Sequence, residues 1–304
     1  MRIISFLLAL FNVILIAHYP LIGQQLADTS FDFVIQKPEY TKGKGPVISL
    51  DEAHFNFHTL DGRYAPFGKL LEKDGYILKS GQEKFSPSSL ASTKILVIAN
   101  ALADNGEWKL PAKSAFTQEE IDAVHNWVKN GGSLLLIADH MPFAGVASKL
   151  ALSFGFNFID GFAMRKDKCI EIFSRELNTL NANAITNGRN VTERIDSIMM
   201  FTGQAFIAPP EANKITTLND DYEVLLPTVA WEFSEGTPRI SGQGLVNGAY
   251  LEYGKGRLVI MGEAAMFSAQ ISGPQKNKAG MNHSHAVQNL QFLLNIIHWL
   301  DNRY

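Results

Sequence analysis

The chain has 304 residues, of which 46% are hydrophobic and 19% charged, and its formal net charge is −3. This composition suits a globular protein with a sizeable core and excludes a disordered or collagen-like chain. The slightly acidic balance gives no electrostatic reason to expect a nucleic-acid partner.

The first residues differ from the rest. Met1-Arg2 precedes an apolar run from Ile3 to Ala17, then His18-Tyr19-Pro20 and the small residue Gly23. A positive start, a short apolar core and a small-residue exit read as a secretory signal peptide over residues 1–23, with Ala27 as the second choice of cleavage point. The run is shorter than the roughly 20 residues of a spanning helix, so an uncleaved anchor, the one expected route to a membrane, is the weaker reading. The expected location is periplasmic or extracellular. Cys169 is the only cysteine, so no internal disulfide can form and stability must come from the core. Cys169 itself is expected to be a small buried or half-buried side chain rather than a reactive thiolate.

Residues 24–46 are polar and form an expected irregular lead-in to a single domain over 47–304. Val47 to Leu50 is a strand candidate that runs into Asp51, Glu52, His54 and Asn56. Pro66 suits the first position of a helix whose Phe67, Leu70 and Leu71 share a face and which Gly75 ends. Tyr76 to Leu78 is the next strand candidate, and Lys94 to Ala99 a stronger one that delivers Asn100. Thr117 and Glu120 have capping-box spacing ahead of Ile121, Val124 and Val128, with Gly131 as the stop. Leu134 to Ile137 then forms a short, continuously apolar run leading into Asp139 and His140, the pattern of a strand buried on both faces. Val146, Leu150 and Phe154 line the helix that follows.

This strand–helix alternation predicts parallel pairing with right-handed crossovers. Residues 156–250 are less regular. Phe156–Ile159, Ile198–Phe201, Glu223–Leu226 and Gly248–Tyr253 are possible strands, expected as antiparallel additions. Arg257 to Met261 is another buried strand candidate and delivers Glu263. A last helix is expected from about Ala286 to Leu300, with Val287, Leu290, Leu294 and Ile297 as its buried stripe. The predicted class is α/β: a doubly wound, mostly parallel sheet with helices on both faces and antiparallel additions in the second half.

Four apolar strands each carry polar residues at their C-terminal end: Asp51 with His54 and Asn56, Asn100, Asp139 with His140, and Glu263. In a parallel sheet these ends share one edge, where ligands of such folds sit. The seven residues form the expected ligand-binding set. His140 suits a general base, with Glu263 as a second catalytic candidate. Asp51, His54, His140 and Glu263 are a mixed N/O set that suits a divalent metal such as zinc, although Asp51-x-x-His54 is a weak signal. His58, His125 and His298 fall near or on predicted helices and are expected to lie outside the site. His283 and His285 sit at a helix start. Asn190-Val191-Thr192 fits a glycosylation acceptor, which matters only in a pathway that glycosylates.

Three stretches carry a resemblance: DEAHFNFHT near the first strand, TQEEIDAVHNWVKNGGSLLLIADH, and GKGRLVIMGEAAMFSAQ with the terminal helix NLQFLLNIIHWL. Together they resemble the class I glutamine amidotransferase-like superfamily, more narrowly its exported members and the related trehalose-utilisation (ThuA-like) proteins. The resemblance implies a flavodoxin-like sandwich with its site at the strand ends. It places the family's catalytic cysteine at the turn that here holds Asp139 and His140. No nucleophile stands there, and Ser148 lies one helix turn too late, so thiolate chemistry is not expected. Two readings follow. The first is a domain that binds a small polar or carbohydrate ligand, with Trp231, Tyr250 and Tyr253 as candidate sugar-facing aromatics. The second is a metal-assisted hydrolase. A structural protein-interaction domain is the blander alternative. Oligomeric state is not legible in the sequence.

Overall fold

The computed structural model describes residues 25–304, so the expected signal peptide lies outside the described residues. In the first half strands and helices alternate: Leu26–Ala27 (β1), Val47–Asp51 (β2), Ala65–Lys73 (α1), Ile77–Gly81 (β3), the single turn Pro87–Leu90 (α2), Ile95–Ala99 (β4), Gln118–Lys129 (α3), Ser133–Ile137 (β5) and Phe143–Ser153 (α4). The second half is richer in strands: Asn157–Arg165 (β6), Glu171–Ser174 (β7), the single turn Ala184–Asn187 (α5), Ser197–Met200 (β8), Gly203–Ile207 (β9), Asn213–Thr217 (β10), Tyr222–Leu225 (β11), Arg239–Ser241 (β12), Val246–Tyr253 (β13) and Gly256–Met261 (β14). A 3-10 turn at Ala265–Phe267, the hairpin Ala269–Ser272 (β15) and Asn277–Gly280 (β16), and the helix Asn289–Leu300 (α6) complete it. Among the described residues no helix is long and apolar enough to cross a membrane.

One large mixed sheet carries the molecule. Its parallel part runs β3-β2-β4-β5-β14, and its antiparallel part continues β13-β9-β6-β11-β12, with β10 also paired to β13. The expectation of a mostly parallel sheet is corrected here: the antiparallel part is at least as large. The cause is local. Gly254, with φ +61°, turns β13 back against β14, and every strand beyond that hairpin then pairs antiparallel.

Alternation along the parallel strands sorts the core into two layers. Ile95, Val97 and Ala99 of β4 join α1 and α6 on one face, whereas Leu96 and Ile98 join α3 and α4 on the other. The terminal helix begins later than expected. Val287 lies before it and is exposed, while Leu294 and Ile297 are buried. The lead-in is more than a tether. β1 pairs antiparallel with β15, and Phe31, Phe33 and Ile35 rest against the α1–α6 core.

The capping box of α3 forms in both directions: Glu120 N–H donates to Thr117 Oγ1 at 3.3 Å and Thr117 N–H to Glu120 Oε2 at 3.0 Å. Glu120 also serves a second purpose. Its Oε1 lies 2.8 Å from His54 Nε2, and His54 Nδ1 lies 2.8 Å from Asp51 Oδ1. Asn56 Nδ2 donates to the other Asp51 oxygen at 2.9 Å. Both imidazole nitrogens are therefore taken, and the ring sits between Phe85 and Phe116. Burial by itself would lower the His54 pKa, but the hydrogen bonds and charges of Asp51 and Glu120 overcome it and raise the pKa above the ordinary histidine value.

This closed network ties the end of β2 to the start of α3. Removing the imidazole takes the shared partner from two buried carboxyl groups and leaves them only their remaining amide donors. His54→Ala should therefore lower the unfolding free energy by about 3–5 kcal/mol in urea titrations. A loss under about 1 kcal/mol would show that the network carries little of the fold's stability.

Candidate functional site

Ala99, Ile137 and Met261 stand side by side in the register of β4, β5 and β14. The residues that follow them, Asn100, Asp139 with His140, and Glu263, come together beneath one cavity of about 500 Å³. That volume lies within the range of small-molecule sites.

The floor is held by short-range hydrogen bonds. Asn100 adopts φ +48°, a conformation asparagine tolerates, and its Oδ1 accepts from Asp139 N–H at 2.9 Å. Asp139 Oδ1 in turn accepts from His140 N–H at 2.8 Å. Glu263 receives Ala265 N–H at 2.6 Å and Met266 N–H at 2.9 Å, at the start of the 3-10 turn. His140 Nδ1 lies 2.7 Å from Met141 O; a carbonyl only accepts, so Nδ1 carries a proton and Nε2 is the nitrogen left for other partners. The ring stacks on Phe162 with centroids 4.5 Å apart and meets Trp231 edge-on at 4.7 Å.

The two floor carboxyls are abnormal. Burial and then the Asp139 charge push Glu263 well above the ordinary glutamate pKa. Burial likewise raises Asp139, against the opposing effects of His140 and nearby N–H donors. Glu171, at the start of β7, belongs to the same acidic group. Burial and then Asp139 push it up to about 8. All three shifts share one direction because burial and like charges in a low-dielectric site resist joint ionisation.

The walls come from elsewhere in the chain. Phe57, Trp108, Phe143 and Trp231 supply aromatic surface, and His58, Arg63, Thr202 and Gln270 supply polar groups. His58 stacks on Tyr64 at 4.4 Å, and its Nδ1 is buried with no partner among the described residues. Burial, and then the charge of Arg63, lowers its pKa to about 3, so it is a neutral imidazole. Gln270 is 0% exposed, and neither its Nε2 nor its Oε1 has a partner among the described residues. Gln25, just ahead of β1, also reaches the cavity. Thr202 enters at φ +84°, and the residue after it must be glycine: a Cβ on Gly203 would lie 2.1 Å from Gly262 O.

Several expectations are corrected by this geometry. Asp51, His54 and Asn56 close on one another and on Glu120, so they are not part of the cavity lining that holds Asn100, Asp139, His140 and Glu263. The metal set Asp51, His54, His140 and Glu263 is thereby split, and among the described residues no group of three His, Cys, Asp or Glu side chains is arranged to hold a metal ion. His58, expected outside the site, lines it. It sits in the loop before α1, where helical periodicity gave no guide. Cys169 is exposed rather than buried and is absent from the cavity lining. Of the three aromatics singled out, only Trp231 lines the cavity. Tyr250 packs on Trp299, and Tyr253 bonds His125. His298 pairs with Asp74 at 2.6 Å.

No family model matches the chain, and no curated protein matches it in sequence. Solved structures similar to it include the mmIFT52 N-terminal domain, at TM-score 0.59 and 12% identity over 84% of this chain and 97% of that one. Another is cytoplasmic protein STM3548 from Salmonella typhimurium, at TM-score 0.50 and 16% identity over 84% of this chain and 98% of that one. ThuA-like proteins are also among its structural neighbours. One from Bacteroides uniformis has TM-score 0.45 and 12% identity over 88% of this chain and 94% of that one. At these identities the likeness is one of fold.

The acidic floor predicts a pH signature. A carboxyl whose folded pKa is raised contributes stability fully below its unfolded value, near 4.5, and loses it as pH rises through the folded value. The contribution of Glu263 to stability should therefore fall as pH rises above about 4.5. Glu263→Gln, which keeps one carbonyl for the turn, should flatten that fall in denaturant titrations at successive pH values. An unchanged slope in the variant would contradict the assignment.

Proposed function

We propose that the chain is an exported, flavodoxin-like domain of amidotransferase type that lacks the catalytic cysteine and binds a small polar, carbohydrate-like ligand at the C-terminal ends of its parallel strands. Export rests on the sequence of residues 1–23. The flavodoxin-like reading rests on the spatial order of the parallel strands: second, first, third, fourth, fifth in chain order, with helices on both faces.

The observation that carries the binding reading is the Gln270 amide. It is fully buried, belongs to a residue that borders a cavity of about 500 Å³, and has neither donor nor acceptor satisfied among the described residues. An unpaired buried amide costs about 1–3 kcal/mol. A bound ligand with hydroxyl groups would satisfy both ends. Three of the eight non-glycine residues with positive φ among the described residues line the same cavity. They are Asn100, for which the conformation is tolerated, and Thr202 and Trp231, for which it costs of order 1–3 kcal/mol each. Trp231 is 46% exposed and lines the cavity, so its indole offers apolar surface to a ligand. A sugar ring offers one apolar face for such a surface and hydroxyls for the polar floor.

Thermal-shift screening against mono- and disaccharides, followed by calorimetry, tests this directly. At least one class should raise the melting temperature. Trp231→Ala should weaken its binding roughly tenfold or more while moving the melting temperature of the free protein by only about 2 °C. Absence of any stabilising compound across neutral and acidic sugars would sink the proposal.

A further inference from the structure

Resting on that reading of the cavity, we infer that the ligand is a sugar acid whose single carboxylate pairs with Arg63. The argument begins with a comparison of arginines. Arg165, Arg175, Arg189, Arg194, Arg239, Arg257 and Arg303 each lie within ion-pair distance of an Asp or Glu. Arg63 is the one arginine among the described residues with no acidic partner, and it is the only Lys or Arg lining the cavity.

Arg63 is also fixed in place. Its Nη1 donates to Phe57 O at 3.0 Å, and its guanidinium lies 3.8 Å from the centroid of the Phe57 ring. Nε is buried and has no partner among the described residues. A half-buried guanidinium without a counter-ion carries a desolvation cost, and its planar fork is shaped for a carboxylate. The neighbouring His58 is neutral, so it offers hydrogen bonding without adding a second positive charge.

The rest of the cavity decides which anion fits. Asp139 and Glu263 line the floor, and among the described residues the lining holds one Arg, no lysine and no glycine-rich phosphate loop. A dianionic phosphate would find in Arg63 a single positive charge to offset two negative ones. A monoanionic carboxylate needs only Arg63, and the hydroxyls of the same molecule can serve the floor and the Gln270 amide. A pyranose bearing one carboxylate therefore fits both the charge and the aromatic walls.

The test is calorimetry with matched pairs, glucuronate against glucose and galacturonate against galactose, on the wild-type chain and on Arg63→Gln. At least one acid should bind about tenfold or more tightly than its neutral counterpart, the size of effect expected for a charged hydrogen-bonded contact. In Arg63→Gln that preference should disappear while the neutral sugar's affinity stays within a few-fold. If Arg63→Gln fails to fold, the wild-type pairs are compared from 20 to 500 mM NaCl, where the preference should shrink as salt rises. Equal binding of acid and neutral sugar would overturn the charge assignment and leave the cavity reading standing. Binding of neither would overturn both. Tighter binding by glucose 6-phosphate than by either acid would replace the carboxylate with a phosphate.

Discussion

Three parallel strands that finish level with one another determine where this molecule keeps its polar groups. Ala99, Ile137 and Met261 pair across the sheet, so the chain leaves all three strands at the same height. Asn100, Asp139 and Glu263 are then forced into one another's company in a place that water hardly reaches. Each is satisfied by backbone N–H groups close to it in sequence, or by one another. The raised carboxyl pKa values follow from that crowding and burial. A strand one residue longer would carry its polar group past the others, since side chains alternate faces with every residue.

Charge is unevenly shared around this cavity. Acid lies on the floor, and a single cation, Arg63, sits on the wall with its counter-ion missing from the described residues. Amide, imidazole and aromatic groups fill the space between them. Amide hydrolysis by a thiolate lacks its nucleophile, because the only cysteine is exposed and outside the cavity lining. The fold is shared with proteins as differently described as an mmIFT52 domain and a Salmonella cytoplasmic protein, so fold alone does not select a function.

Much of the scaffold was legible in the sequence. The continuous apolar runs at 95–99, 134–137 and 258–261, the capping box at Thr117 and the helix stop at Gly131 all have local physical causes, and each appears where those causes put it. The convergence of Asn100, His140 and Glu263 was legible too, because it depends only on strand direction. The grouping of Asp51 and His54 with them was not correct. Nothing local showed that Glu120, already used as a cap, would reach across to His54 and close the network. Arg63, His58 and Gln270 gave no periodic signal. They sit in a loop and in a short hairpin strand, where position depends on tertiary packing. The extent of the antiparallel half was also hidden, since it depends on which edge the β13–β14 hairpin joins.

The four tryptophans offer the most direct test of the account. Trp108 and Trp231 line the cavity, whereas Trp127 and Trp299 do not. With 5-fluorotryptophan incorporated throughout, four fluorine resonances can be assigned by substituting each residue in turn and then followed during titration with galacturonate. The Trp108 and Trp231 signals should move together while the other two stay in place. Movement confined to Trp127 or Trp299 would put the ligand elsewhere on the molecule and contradict the site described.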